Sequence, residues 1–381
     1  MKTGRRADEL TIEDPGPRPA HEGHGALLEV EDLKTYFRTE RGLVKAVDDV
    51  SFSIERGQTL GVVGESGSGK TVLSRSVMGL LSTSRAVRSG KVIFEGRDIT
   101  DLPSSEMRKI WGAEMAMVFQ DPMTSLNPVM KIGRQLTEGL RLHLNMDKGE
   151  ARETAIALLR SVGIPEPERR LDQYPFELSG GMRQRVTIAI AISCGPKLLM
   201  ADEPTTALDV TVQAQILNLL QDKQRERFMA MILVTHDLGV VAGRTDNIAV
   251  MYAGKIVEKA PTRKLFAEMR MPYTEALVKS IPRVTNASHT RLLAITGRPP
   301  DLVNPPPGCN FAARCPYAQA RCLEEEPPLV SPDGSDHSYA CWFPVGTPEG
   351  KTALEQNLAD KRPQTLAAVA VGVDAVGVDL T

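Results

Sequence analysis

The run Gly64-Glu65-Ser66-Gly67-Ser68-Gly69-Lys70-Thr71 constrains this chain more than any other stretch, because it fits G-x-x-x-x-G-K-[ST]. Thr59-Leu60-Gly61-Val62-Val63 reads as a short buried strand leading in, and the stretch from Val72 to Leu81 as a helix leading out. That strand–loop–helix setting is what the phosphate-binding loop needs. Glycines let successive backbone N–H groups curl around a phosphate without Cβ clashes, and the helix N-terminus adds positive potential. Lys70 supplies a point charge for the β- and γ-phosphates, and the Thr71 hydroxyl is a ligand for Mg²⁺. A nucleotide site is the expectation.

With 381 residues, the chain exceeds one typical core, so a large α/β unit with a smaller appendage is expected. A net charge of −2 gives no global basic excess that would point to nucleic acid. The N-terminal residues carry charges but no apolar run of the kind a signal peptide has. No window of apolar residues is long enough to span a bilayer, so a cytosolic or peripheral protein is expected.

Residues 1–26 are rich in Pro, Gly, Glu and His without hydrophobic period, and read as a disordered leader. Alternating pieces come next: Leu28-Glu29-Val30, Lys34-Thr35-Tyr36-Phe37, Lys45-Ala46-Val47 and Val50-Ser51-Phe52-Ser53-Ile54. They predict an antiparallel β-subdomain beside the phosphate loop, joined by a hairpin at Gly90 to Arg97. Residues 122–178 carry helical period and no strand signal, which makes them a helical insertion broken at Pro165 and Pro167. Strand–helix alternation resumes at Leu198 and ends in a hairpin of residues 247–251 and 255–258. Residues 27–261 therefore form the nucleotide-binding unit, 262–345 a small Cys- and Pro-rich domain, and 346–381 a disordered tail.

The strand Leu198-Leu199-Met200-Ala201 ends in Asp202-Glu203. Ionised groups at the end of a buried strand need water, a metal or a partner. Beside a phosphate loop, Asp202 is placed to hold Mg²⁺ and Glu203 to polarise an attacking water. Leu178-Ser179-Gly180-Gly181-Met182 precedes a further helical run, making a second backbone-amide nest. A simple helix cap by Ser179 is the bland alternative.

Gly64 to Thr71, Gln120, Leu178 to Met182, Leu199 to Glu203, Ala207-Leu208-Asp209 and His236 occur in the order and spacing of the ATP-binding-cassette (ABC) ATPases, which this chain resembles over about residues 28–261. The resemblance implies an α/β P-loop ATPase core with an antiparallel β-subdomain, working as a head-to-tail dimer with ATP and Mg²⁺ sandwiched between cassettes. It places Glu65, Ser66, Gly67, Ser68, Gly69, Lys70 and Thr71 around the phosphates and the metal, with Asp202. Gln120 would contact Mg²⁺ and hinge the helical insertion, Glu203 would be the base, and His236 would reach the γ-phosphate. Ser179, Gly180 and Gly181 would complete the partner's site, and Phe37, with Tyr36 as competitor, would stack on adenine. Gln120-Asp121-Pro122-Met123-Thr124-Ser125-Leu126-Asn127-Pro128 is similar to the oligopeptide/dipeptide (and nickel) importer branch, as is Met182, which stands where many ABC signatures have Gln.

Cys309, Cys315, Cys322 and Cys341 have spacings C-x5-C-x6-C-x18-C, unlike the C-x2-C pairs of most zinc ribbons. Clustered thiols in a reducing compartment suggest zinc or an iron–sulfur centre, with four unligated thiols as the alternative. The importer resemblance implies a 4Fe–4S cluster on these four residues. It also implies two transmembrane permease subunits, a second similar ATPase or second copy of this chain, and an extracytoplasmic peptide-binding protein, at the cytoplasmic face of a membrane. No nucleic acid is expected. The expected activity is ATP hydrolysis that powers uptake of short peptides, with nickel or another small solute as the alternative cargo. A soluble ABC ATPase acting on DNA or ribosomes is the reading from another class. A single cassette, near-neutral charge and the lack of a coiled-coil insertion stand against it.

Overall fold

The computed structural model describes residues 25–81, 85–206, 208–281 and 295–360. The leader expected at 1–26 therefore lies almost wholly outside the described residues, as does Ala207.

Strands β1 (Leu28–Thr39), β2 (Gly42–Ile54), β4 (Ala86–Phe94) and β5 (Arg97–Asp98) make an antiparallel sheet in the order β2-β1-β4-β5. The four pieces expected between residues 28 and 54 are two long strands. Register shifts at Val30/Leu33 and Leu33/Thr35 break the alternation that would have joined them by eye.

The second sheet has seven strands. It contains β3 (Thr59–Val63), β6 (Met115–Val118), β7 (Leu198–Asp202), β8 (Ala230–Thr235), β9 (Asn247–Tyr252), β10 (Lys255–Pro261) and β11 (Ser338–Tyr339), in the order β11-β10-β9-β3-β8-β7-β6. From β6 to β9 all pairs are parallel. Strands covered on both faces read as continuous apolar runs, and every residue of β3, β7 and β8 is buried. Alternate residues serve opposite faces. Leu199, Ala201, Met231 and Leu233 join a core under the helical insertion, whereas Leu198, Met200, Ile232 and Val234 join one under the antiparallel sheet.

Register fixes the site. Val63 lies opposite Thr235 and Asp202 opposite Val234, so β3, β7 and β8 end level with one another. The loops that leave these strands emerge at the same sheet edge, the place where open α/β sheets bind ligands.

The insertion contains helices Pro122–Ser125, Ile132–His143, Lys148–Ser161 and Pro167–Arg170 and no strand. Its second long helix starts at a capping box, in which Asp147 accepts from Glu150 N–H and the Glu150 carboxylate accepts from Asp147 N–H.

The C-terminal residues are less separate than their composition suggests. Strand β11 extends the core sheet through Glu258–Tyr339 and Lys259–Ser338 pairs, and Phe311 is buried against Tyr252 and Tyr273. Residues 348–359, expected to be disordered, form a helix capped by the Thr347 hydroxyl. The Asn357 amide docks it by donating to the carbonyls of Pro316 and Ala318 at 2.9 Å each.

Candidate active site

The phosphate loop links β3 to the helix Lys70–Val77. Gly69 caps that helix at φ 103°, and a Cβ there would lie 2.2 Å from the Ala46 carbonyl oxygen. Only glycine fits both the backbone angle and the packing.

Lys70 is buried, and its ammonium donates to the loop's own carbonyls, Gly64 O at 2.7 Å and Glu65 O at 2.9 Å. Burial pulls its pKa down, opposed by the nearby carboxylates of Glu203, Asp202 and Glu65. The buried Ser68 hydroxyl has no hydrogen-bond partner among the described residues. A polyanion in the loop would give Lys70 and Ser68 stronger partners than they now have, so the residues present fit a nucleotide phosphate.

At the end of β7, the Thr71 hydroxyl donates to Asp202 Oδ1 at 3.2 Å. Burial pushes the Asp202 carboxyl up; the Thr71 hydrogen bond opposes this and the Glu203 charge adds to it. A hydroxyl and a buried carboxylate side by side are the hard oxygen donors that suit Mg²⁺. Glu203 comes next in a left-handed backbone conformation, φ 47°, which turns its carboxylate back over the sheet edge. One oxygen, Oε2, is contacted by Gln120 Nε2 at 3.1 Å, Thr206 Oγ1 at 2.8 Å and His236 Nδ1 at 3.3 Å. The other, Oε1, faces the Lys70 ammonium at 4.0 Å. Gln120, Glu203 and His236 thus meet at one point, although they come from three separate loops.

Ser66 and Gly67 are exposed on the loop. The Glu65 carboxylate leaves the phosphate side and pairs with Arg314 of the C-terminal segment. Phe37 is half-buried on β1, while the hydroxyl of the competing Tyr36 donates to Asp48. Ser179 is exposed and caps the helix Gly180–Ile192, accepting from Met182 N–H at 3.3 Å. Among the described residues, no member of the phosphate loop hydrogen-bonds to the Ser179 side chain, so the second nest is not assembled onto the first within the chain.

Three contributors escaped the sequence reading: Thr206, Tyr273 and Arg314. Thr206 had a local signal, a hydroxyl three residues after a candidate base. The other two are distant in sequence and had none.

The cysteines require a correction. Among the described residues, no group of three or more His, Cys, Asp or Glu side chains is arranged to hold a metal ion. Cys309, Cys315 and Cys341 pack against the larger hydrophobic core instead. Burial pushes the Cys309 thiol up to about 11 and raises the Cys315 and Cys341 thiols further. The expected 4Fe–4S cluster on Cys309, Cys315, Cys322 and Cys341 is withdrawn. They behave as the small apolar side chains that free cysteines commonly are.

Gln120 and His236 converge on the second carboxylate of the strand-end pair, as the ATP-binding-cassette resemblance implies. Family comparison agrees. The description "ABC transporter" matches residues 47–206, and "Oligopeptide/dipeptide transporter, C-terminal region" matches 257–322. The chain is similar to the oligopeptide transport ATP-binding protein OppD of Bacillus subtilis, 48% identical over 88% of this chain and 95% of that one. It is 49% identical to the dipeptide transport ATP-binding protein DppD of the same organism, over 83% and 94%. OppD of Salmonella typhimurium is 49% identical over 86% and 96%. Among solved structures, the ADP- and Pi-bound dimer of the cassette MJ0796 covers 62% of this chain and 99% of its own, at TM-score 0.56 and 26% identity. The protein belongs to the ABC transporter ATPases, in the branch of the oligopeptide and dipeptide transport ATP-binding proteins.

Proposed function

We propose that this chain hydrolyses ATP to power uptake of short peptides through separate permease subunits. The observation that carries the ATPase chemistry is the Glu203 carboxylate, held by Gln120, Thr206 and His236 and facing Lys70. Support for the peptide cargo comes from the relatives' names and the C-terminal region at 257–322.

In the proposed cycle, Lys70 exchanges the Gly64 and Glu65 carbonyls for phosphate oxygens, and Thr71, Asp202 and Gln120 would hold Mg²⁺. The metal would supply neutralisation of the phosphate charge. Glu203 takes a proton from the attacking water while His236 approaches the γ-phosphate. Phe37 offers a ring for adenine. The exposed nest Ser179–Gly181 serves the site of a second cassette, either a similar ATPase or another copy of this chain. No helix among the described residues is long and apolar enough to cross a membrane. Two separate permease subunits would provide the path. The helical insertion, which leaves Met123, Val129, Leu142 and Phe176 exposed, would be the part that docks a permease's cytoplasmic helix. An extracytoplasmic peptide-binding protein would deliver the cargo, and the chain would sit peripherally on the cytoplasmic face.

Purification of the tagged protein from membranes in mild detergent tests this reading. Co-purification of two polytopic subunits and a second ATPase, with ATP hydrolysis stimulated by peptide and its binding protein, is the expected result. Recovery free of membrane and bound to DNA or ribosomes would overturn the transport reading and leave the ATPase intact.

A further inference from the structure

Arg314 lies between two of the C-terminal cysteines, at the end of a short turn, Ala312–Arg314. Its side chain is 3% exposed. A guanidinium taken this far out of water must satisfy its charge and its N–H groups locally. A guanidinium has five N–H donors, and each here has an acceptor. Nη1 donates to Glu65 Oε2 at 2.6 Å and Tyr252 Oη at 3.2 Å, and Nη2 to Glu65 Oε1 at 2.8 Å and Ile295 O at 3.2 Å. Nε donates to Thr296 O at 2.9 Å. The rings of Tyr252 and Phe311 flank the group at 5.7 and 5.8 Å.

Glu65 is the second residue of the phosphate loop, at a position the motif leaves open. A second C-terminal side chain holds it too: the Tyr273 hydroxyl accepts from Glu65 N–H at 2.8 Å. Glu65 is therefore gripped at its carboxylate and its amide by residues that lie after 261, while its carbonyl accepts from Lys70 at 2.9 Å. When Lys70 turns to a phosphate, that carbonyl loses its partner and the other two grips remain.

We propose that Arg314 is a positioning residue of the nucleotide site: its fork on Glu65, with Tyr273 on the same residue, sets the phosphate loop in its ATP-accepting shape. The C-terminal segment is then part of the ATP site, acting through the loop and touching no nucleotide. A bidentate arginine–carboxylate pair fixes direction as well as distance, which lysine cannot reproduce.

The test uses the full chain with Arg314→Gln, Arg314→Lys, Glu65→Gln and the Arg314→Gln/Glu65→Gln double variant. Equilibrium binding of a fluorescent ATP analogue, ATP KM and kcat, and the thermal midpoint are measured for each. Both Gln single variants are expected to raise the Kd and KM for ATP about 10-fold while kcat stays within about 2-fold, the loss of one charge-assisted contact. The double variant is expected to bind no more weakly than the worse single, because both remove the same interaction. Arg314→Lys is expected to fall between wild type and Arg314→Gln. Unchanged ATP affinity in Glu65→Gln, or additive losses in the double variant, would overturn the proposal. If Arg314→Gln fails to fold, the half-buried Glu65 site decides alone. The proposal rests on the ATP-site assignment but not on the cargo. Lys70→Ala separates the two failures, since normal ATP binding in that variant would sink the site itself.

Discussion

Two glycine-rich turns in this chain each open a helix, and they are built for different neighbours. In the phosphate loop the surrounding chain closes in: Lys70 is buried, and a Cβ on Gly69 would strike the Ala46 carbonyl at 2.2 Å. The turn at Ser179 and Gly180 is less enclosed. Ser179 is exposed, and a Cβ on Gly180 would meet only the Leu208 side chain at 3.7 Å, an ordinary contact, while one on Gly181 would lie 2.9 Å from Val212 Cγ1. The same device, amide groups at a helix N-terminus, is thus used once as an internal cradle and once as a presented surface. A cradle is specified by its own chain, whereas a presented nest is meaningful only when something arrives. The proposed site divided between two cassettes would need that difference.

The largest effect should come from the internal side. Glu203→Gln keeps the contact geometry but removes the base, so turnover is expected to fall roughly 10²–10⁴-fold while ATP is retained. Steady-state hydrolysis and trapped-nucleotide assays read the two halves of that statement, and near-normal turnover would remove Glu203 from the role. Next comes Lys70→Ala, which takes away the only ammonium buried inside the loop among the described residues. ATP affinity is expected to drop about 10- to 100-fold, the scale of lost charged hydrogen bonds. An unchanged Kd would overturn the assignment of this loop to the nucleotide phosphates.

The contrast also governs what could be read in advance. The phosphate loop, Asp202 and Glu203 were legible because backbone geometry and buried charge restrict residue type at those positions. The central strands β3, β7 and β8 were legible because burial on both faces makes them mostly apolar. Met115–Val118 was missed, since four apolar residues at a sheet edge carry no period to recognise. The helix 348–359 has a local start signal in Thr347-Pro348-Glu349, which the polar composition of the tail obscures, and Asn357 and the Gln319 amide dock it across the C-terminal segment. The cysteines misled in the opposite way. Spacing suggests ligands, yet among the described residues no metal-holding group forms, and Cys309, Cys315 and Cys341 pack against the larger core. The Arg314–Glu65 pair joins residues 249 positions apart, and no local rule anticipates it.

A matched pair of substitutions sharpens the comparison through stability. Gly69→Ala must adopt a left-handed backbone and displace a carbonyl, so a loss of about 2–4 kcal/mol is expected in denaturant unfolding. Gly180→Ala sits in helical backbone with room for a methyl group, and is expected to be neutral or to stabilise by up to about 1 kcal/mol. Equal losses at the two glycines would mean that the signature turn is as tightly determined as the phosphate loop, and the distinction between them would fail.

The smallest effect is the most discriminating. Ser179→Ala removes a helix cap, since the hydroxyl accepts from Met182 N–H, and about 1 kcal/mol of stability should go with it. Because the Ser179 hydroxyl makes no hydrogen bond to the phosphate loop among the described residues, ATP affinity measured on the isolated chain should stay at the wild-type value. Turnover is different. If the nest completes a partner's site, Ser179→Ala should slow hydrolysis in the assembled transporter while leaving single-chain binding untouched, and the defect should appear at the site built from the partner's phosphate loop. A fall in single-chain ATP affinity matching that of Lys70→Ala would place both turns at one site within one chain. Loss of the cap alone, with full hydrolysis in the assembly, would reduce Ser179 to a structural helix start.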